Sequence, residues 1–289
     1  MFANEHYELI DFGAGRKLER FGRVILDRPS PAAQRATKAQ KSIWNNPHAR
    51  FQKITGTTGK WISRNGVENG WPWQFGPVEV ELRTTPFGHV GIFPEQAENW
   101  RWLRDQLAKH EQGLRVLNLF AYTGVSSLVA AQCGAHVVHL DAASNIVAWA
   151  RHNAKQSGLD QHPIRWIVED ARKFTQRELR RGNRYDAVIL DPPSYGHGPK
   201  GEPWQLTTHL AELLHNCLSL TAGAPQFLLL TCHTSGMTTN SLADALKQAG
   251  LPNPSSLETS RLTLPTSDGR KLASGLVARW SQLPSRPEQ

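Results

Sequence analysis

From Arg115 onward the chain alternates short apolar runs with helical patterns, and this alternation limits the possible folds more than any other feature. The runs are Val116–Phe120, His136–Leu140, Ile164–Val168, Tyr185–Leu190 and Gln226–Thr231. Helical stretches separate most of them, at Ser126–Cys133, Ser144–Ser157, Ala171–Arg181 and Pro203–Leu220. Parallel strands need long crossovers, and helices supply them, so the pattern predicts an α/β, doubly wound and mostly parallel sheet covered on both faces. A last run, Gly275–Trp280, follows the turn Ser267-Asp268-Gly269 and is expected as an antiparallel edge strand. Residues 111–282 are read as this domain.

Residues 1–110 have a different texture, rich in Gly, Pro and Trp. Tyr7–Phe12 alternates, turns at Gly13-Ala14-Gly15, and meets a second strand-like run at Arg23-Val24-Ile25-Leu26. Val78–Leu82 and His89–Phe93 read as a further hairpin about Pro86-Phe87-Gly88. Pro94-Glu95-Gln96-Ala97 opens a helix expected to run to Lys109, since proline suits a first helical position and glutamate a first turn. This is a smaller β-rich, hairpin domain. The Pro-rich end, 283–289, is expected to be disordered.

Charge is uneven. Lys and Arg number 33 against 25 acids, a formal +8. From Arg28 to Arg64 there is no acid, while Arg35, Lys38, Lys41, Arg50, Lys53 and Lys60 are interleaved with Trp44, Phe51 and Trp61. Cations neutralise phosphates and rings stack unpaired bases, so this segment is the expected RNA contact. No run approaches the ~20 apolar residues of a membrane span, and the N-terminus has no secretory pattern. Cys133, Cys217 and Cys232 form no paired spacing, which points to a reducing cytoplasm. The twelve histidines show no metal-binding spacing, so no metal is expected.

The fourth apolar run ends in Asp191-Pro192-Pro193-Ser194-Tyr195. Two prolines cannot continue a ladder, so the chain makes a stiff corner at a strand's carboxyl end, where open α/β sheets bind ligands. A carboxylate, exposed carbonyls and a phenol there can hold a flat, amino-bearing ring. The first run ends in Asn118-Leu119-Phe120-Ala121-Tyr122-Thr123-Gly124, which lacks the glycine fingerprint of a dinucleotide site. The second ends in Asp141-Ala142, placed to accept from ribose hydroxyls, and the third in Glu169-Asp170-Ala171, placed to accept from an adenine amino group. Acids along one edge with no phosphate cradle suit a nucleoside bearing an amino acid, which describes S-adenosylmethionine.

Those residues also carry a resemblance. Phe93-Pro94-Glu95-Gln96, the block Val116–Gly124, Asp141, Trp149-Ala150-Arg151-His152-Asn153, Asp170 and Asp191–Tyr195 resemble the class I S-adenosylmethionine-dependent methyltransferases. Within them, the chain is similar to the 23S ribosomal RNA enzymes that act on cytosine C5 or guanine N7. The resemblance implies a seven-stranded Rossmann-like sheet, with S-adenosylmethionine held by the Phe120–Gly124 loop, Asp141 and Asp170. It implies that Asp191, Pro192, Pro193 and Tyr195 face the methyl group and a ribosomal RNA base. Longer members carry an N-terminal PUA-type domain, which this sequence is not expected to include.

Two chemistries stay open. Cys232, in Leu230-Thr231-Cys232-His233, matches the position of the nucleophile in cytosine-C5 members, where a thiolate attacks base C6. A ring or exocyclic nitrogen of guanine needs no thiol and could attack directly, oriented by Asp191 and the Pro192 carbonyl. A small-molecule methyltransferase, a nicotinamide-dependent oxidoreductase and a non-catalytic RNA-binding module are the rival readings. Oligomeric state is not legible.

Overall fold

The computed structural model describes residues 6–56, 58–63, 67, 70–111 and 113–282. The chain divides into two compact units, Met1–Ala97 with Thr263–Ser274, and Glu98–Leu262 with Gly275–Gln289. The expected tail at 283–289 lies outside the described residues, as does Arg64.

The first unit contains β1 (Tyr7–Gly13), β2 (Arg16–Phe21), β3 (Val24–Pro29), β4 (Ala49–Thr55) and β5 (Thr58–Ser63), paired in that order. All neighbours are antiparallel except β3 and β4. Sequence reading paired β1 with the run at Arg23 and passed over β2. The reason is chemical: in β2 the buried face includes Glu19, so its alternation does not look apolar. Glu19 is fully buried and accepts from Tyr7 Oη at 3.0 Å and Arg28 Nε at 2.8 Å. Asp27 is matched by Arg16 Nε at 2.5 Å and Arg50 Nε at 2.7 Å. Asp11 takes the indole N–H of Trp44 at 2.7 Å and Arg270 at 2.6 Å.

The remaining ribbon of this unit pairs β6 (Trp71–Phe75) with β7 (Val78–Leu82). The expected partner of β7, His89–Phe93, is not a strand. Arg83 N donates to Val90 O and Thr85 N to His89 O, both at 3.1 Å, without a regular ladder, and Gly91 leaves the extended region at φ +107°. The Trp-Pro-Trp sequence of β6 concealed the true pairing, because proline reads as a breaker. Here Pro72 is exposed on the outer face while Trp71 and Trp73 point inward.

The second unit opens with α1 (Ala97–Leu107), preceded by a single 3-10 turn at Pro94–Gln96. Then follow β8 (Arg115–Leu119), α2 (Val125–Gln132), β9 (His136–Asp141), α3 (Ser144–Gln156), β10 (Ile164–Val168), α4 (Ala171–Arg180) and β11 (Ala187–Leu190). A short hairpin, β12 (Tyr195–His197) with β13 (Pro203–Gln205), precedes α5 (Leu206–Leu220), β14 (Phe227–Cys232), α6 (Thr239–Gln248), β15 (Leu257–Pro265) and β16 (Lys271–Ser281). The sheet runs β10-β9-β8-β11-β14-β16-β15. The pairings from β10 through β14 are parallel, and β16 is antiparallel to β14. This is the expected seven-stranded, mostly parallel, doubly wound sheet.

One placement differs. The Gly275–Trp280 run is antiparallel but lies inside the sheet, because β15 takes the edge. That strand, Leu-Glu-Thr-Ser-Arg-Leu-Thr-Leu-Pro, is mostly polar and exposed, as an edge strand tolerates, and so gave little apolar signal. One face of the sheet packs Leu117, Leu119, Val188, Leu190, Leu228 and Leu230 against Phe174 of α4, Leu213 and Leu214 of α5, and Leu242 and Leu246 of α6. These side chains are fully buried, each gaining about 1.5–3 kcal/mol from removal of its apolar surface from water.

Candidate active site

Parallel strands put all their carboxyl ends on one rim. Reading across that rim in sheet order, Asp170 follows β10, Asp141 ends β9, the Phe120–Gly124 loop follows β8, Asp191 follows β11, and His233 follows β14. Asp170 and Asp191 stand three strand steps apart, about 14 Å at the usual inter-strand spacing.

The loop after β8 has unusual backbone geometry. Phe120 at φ +56° and Tyr122 at φ +50° both lie in the left-handed region, which costs non-glycine residues on the order of 1–3 kcal/mol each. Surrounding contacts hold them there. Ala121 N donates to Leu140 O at 3.0 Å, Tyr122 N to Asp141 Oδ2 at 3.0 Å, and Asn153 Nδ2 to Thr123 O at 2.9 Å. The Phe120 ring packs on Trp204 with centroids 4.8 Å apart. Gly124, at φ +94°, enters α2 so close to α3 that an added Cβ would stand 3.1 Å from that of Ala150.

Asn118 lies beneath this loop. It is 2% exposed, and its Nδ2 donates to Ser127 Oγ at 2.9 Å. Ser127 Oγ in turn lies 3.0 Å from His139 Nδ1. Burial pushes the His139 imidazole down to about 3, so it is neutral.

Asp141 accepts from Tyr122 N and, through Oδ1, from Ala143 N at 3.0 Å. Burial pushes its carboxyl above the ordinary value, against the pull of the Ala143, Tyr122 and Ala142 amides. Asp170 caps α4, with Oδ1 accepting from Lys173 N at 3.0 Å, and Ala171 is buried in the helix's first turn. This capping bond fixes the Asp170 carboxylate at the rim.

Asp191 Oδ1 accepts from Thr231 Oγ1 at 2.5 Å and lies 3.4 Å from His233 Nε2. Beyond it, Ser194 Oγ meets Thr234 Oγ1 at 2.8 Å, and Pro193 O accepts from Trp204 Nε1 at 2.7 Å. The proline corner is thus tied to the end of β14 and to the hairpin. Tyr195 projects from it, 63% exposed, with its hydroxyl 3.0 Å from His197 Nε2. Cys232 faces elsewhere. It is 1% exposed and shares the apolar cluster of Leu228 and Leu230, while Thr231 turns toward Asp191. The two-residue period of a strand accounts for this split.

The sequence profile of the S-adenosylmethionine-dependent methyltransferases matches residues 47–238. The chain belongs to this family. A solved S-adenosylmethionine-dependent methyltransferase from Agrobacterium tumefaciens is 37% identical and superposes with a TM-score of 0.89, covering 96% of this chain and 90% of that one. Ribosomal RNA large subunit methyltransferase I of Aeromonas hydrophila is 33% identical over 188 residues, which is 60% of this chain and 43% of that protein. Ribosomal RNA large subunit methyltransferase K/L of Chromohalobacter salexigens is 29% identical over 126 residues, 43% of this chain and 16% of that protein. The chain spans less than half the length of these two curated relatives.

S-adenosylmethionine is the methyl donor of this family. The rim fits that donor: a carboxylate line runs along it, and no dinucleotide fingerprint precedes α2. Family membership sets aside the nicotinamide-dependent and non-catalytic readings. Sequence reasoning missed Thr231 and the β12–β13 hairpin. A helix was expected to begin at Pro203, but Pro203–Gln205 is strand, and α5 starts at Leu206. Among the described residues no group of side chains is arranged to hold a metal, and no helix is long and apolar enough to cross a membrane.

Proposed function

We propose that this methyltransferase acts on a base of ribosomal RNA, in the cytoplasm. The observation that carries the reading is the rim itself, where Asp141, Asp170 and the stiff Asp191–Tyr195 corner stand side by side. The names of the curated relatives support an RNA acceptor. In this reading Asp141 and Ala142 hold the ribose, Asp170 and Ala171 the adenine, and the Phe120–Gly124 loop the methionine moiety. Asn118 supports that loop from below. Bound there, S-adenosylmethionine supplies an electrophilic methyl group.

The acceptor base stacks on Tyr195, with Pro192 and Pro193 fixing the corner that carries the ring. Asp191 and the Pro192 carbonyl orient the attacking atom; an exocyclic amine passes its proton to Asp191, whereas guanine N7 carries none and its cationic product is balanced by the Asp191 carboxylate. Positioning and fixed charge supply most of the rate in such a site. Of the two chemistries, the burial of Cys232 favours direct attack by a nitrogen over thiolate addition to cytosine C6. Exposed cations of the Arg28–Arg64 segment, Arg35, Lys41, Lys53 and Lys60, are the RNA contacts we assign to the first unit; none pairs with a carboxylate among the described residues. Trp44 and Phe51 are buried and Arg28 is held by Glu19, so those three serve the fold.

The test is transfer of tritium from labelled S-adenosylmethionine to ribosomal RNA from a strain lacking the gene, followed by nucleoside digestion. A labelled guanine supports the nitrogen route. Labelled 5-methylcytidine that disappears in Cys232→Ala would overturn it, and label confined to free metabolites would overturn the RNA reading.

A further inference from the structure

Beside the rim, between α4 and the β12–β13 hairpin, lies a cleft of about 280 Å³ that the methyl-transfer site does not use. Four cations line it, Lys173, Arg177, Arg180 and Lys200, with the acids Glu169 and Glu202. Both acids are already engaged. Glu169 Oε2 lies 2.6 Å from Arg177, and Glu202 Oε1 lies 2.6 Å from Lys173. The other oxygen of Glu202 accepts from the backbone N–H of Lys200 at 2.8 Å. The bond from Lys173 holds the Glu202 carboxyl at about 2, so this link persists at any working pH.

That leaves two positive charges in excess, on Arg180 and Lys200. Both are exposed, and neither meets a carboxylate among the described residues. Concave walls concentrate the field of such charges and draw in anions. The cleft is also tied to the chemistry. Glu169 directly precedes Asp170, and an added Cβ on Gly198 of the hairpin would stand 3.1 Å from the Cβ of Asp170. Arg172 donates to Pro203 O at 3.1 Å, a second clasp between α4 and the hairpin. Tyr195 stands at the base of this hairpin and Lys200 at its tip, at most about 16 Å away at the rise of an extended strand.

We propose that this cleft binds backbone phosphate of the RNA acceptor, so that the hairpin grips a base with Tyr195 and a phosphodiester of the same strand with Lys200 and Arg180. The proposal rests on the RNA reading above and adds a site to it. The ligand class is a phosphodiester on single-stranded RNA. Arg177 and Lys173 contribute field while remaining paired to their own acids.

The probe is a short fluorescein-labelled oligouridine, titrated by anisotropy at several salt concentrations. Each phosphate neutralised on a single strand contributes about 0.7 to the slope of log K against log salt. Arg180→Gln/Lys200→Gln is expected to weaken oligouridine about tenfold and to flatten the slope by about 0.7–1.4, with an unchanged circular dichroism spectrum. The KM for ribosomal RNA should rise with it, while the KM for S-adenosylmethionine stays put. Lys155→Gln/Lys247→Gln removes the same charge from α3 and α6 and should move neither RNA quantity. An unaltered salt slope in Arg180→Gln/Lys200→Gln overturns the cleft and leaves RNA methylation standing. Loss of inorganic phosphate binding with no change toward oligouridine or ribosomal RNA assigns the cleft to a free anion and overturns the RNA claim. A wild-type enzyme that labels no RNA removes both readings together.

Discussion

In the first unit Asp11, Glu19 and Asp27 are fully buried, and each meets a cation from another part of the chain: Arg270, Arg28, and Arg16 with Arg50. In the second unit the corresponding acids sit at strand ends. Asp141 is held by backbone amides, Asp170 by a helix amide, and Asp191 by a threonine hydroxyl and a histidine. The first arrangement satisfies charge internally and leaves little for a ligand. The second fixes each carboxylate chiefly with neutral donors, the nearest arginine to Asp170 standing 4.0 Å away at Arg172, so its charge remains available to a cationic or hydroxyl-bearing partner. Charge content read from a sequence therefore says little until it is known which charges face each other.

The largest expected effect tests the first half of that contrast. Arg28→Met leaves Glu19 buried without its principal cation, and such a loss costs about 3–5 kcal/mol. Urea denaturation should show the midpoint falling accordingly. A change under about 1 kcal/mol would mean that Lys17 and Tyr7 suffice for Glu19, and that the pair is not what holds β2 to β3.

Next comes the rim. Asp191→Ala should lower methyl transfer about 10²–10³-fold, the usual consequence of removing one preorganised polar group from a reaction centre. Calorimetric affinity for S-adenosylhomocysteine should fall far less, because Asp141 and the Phe120–Gly124 loop remain. Equal losses in both would make Asp191 part of donor binding and blur its distinction from Asp141.

Acid acts on both units, through one histidine in each. Burial, with help from Arg28 and Lys17, lowers His89 in the first unit to about 4, and burial lowers His139 in the second to about 3. Each stays neutral in the folded state while the unfolded chain gains a proton below about 6.5. The contribution is thus complete above that pH and is lost as the pH falls toward those values, on the order of a few kcal/mol per histidine. Denaturant midpoints measured from neutral pH down to about 4 should decline, and His139→Gln should flatten the decline. An unchanged slope in that variant would place the acid sensitivity elsewhere, with His89 as the nearest alternative.

The same contrast explains what could be read from the sequence. The five parallel strands were legible to within two residues: β8, β9, β11 and β14 because they are largely buried and mostly apolar, and the partly exposed edge strand β10 because Ile164, Trp166, Ile167 and Val168 favour extended backbone. The loop residues Phe120–Gly124 and the corner Asp191–Tyr195 were legible because glycine and proline constrain backbone geometry wherever they occur. The strand β2 was not, since Glu19 and Lys17 look like surface charges until Arg28 and Tyr7 are seen against them. Nor were the hairpin contacts. Trp204 to Pro193 and Lys173 to Glu202 join residues whose proximity depends on tertiary packing, and no local pattern encodes it. Arg50 reads as an RNA contact in sequence, yet its Nε lies on Asp27.

The smallest expected effect bears on β14, where one strand divides between core and rim. Cys232 shares the apolar cluster with Leu228 and Leu230, so Cys232→Ala removes a small buried side chain and should cost about 1 kcal/mol of stability. Methyl transfer, measured at saturating donor, should stay within about twofold. Thr231→Val, one residue earlier on the opposite face, removes the hydroxyl bound to Asp191 and should slow transfer by more than Cys232→Ala while retaining the fold. The reverse order, with Cys232→Ala inactive and folded and Thr231→Val near wild type, would mean the thiol leaves its core position during the reaction. The nitrogen route would then give way to thiolate addition at cytosine C6, and the division of β14 into a packing face and a reacting face would have to be redrawn.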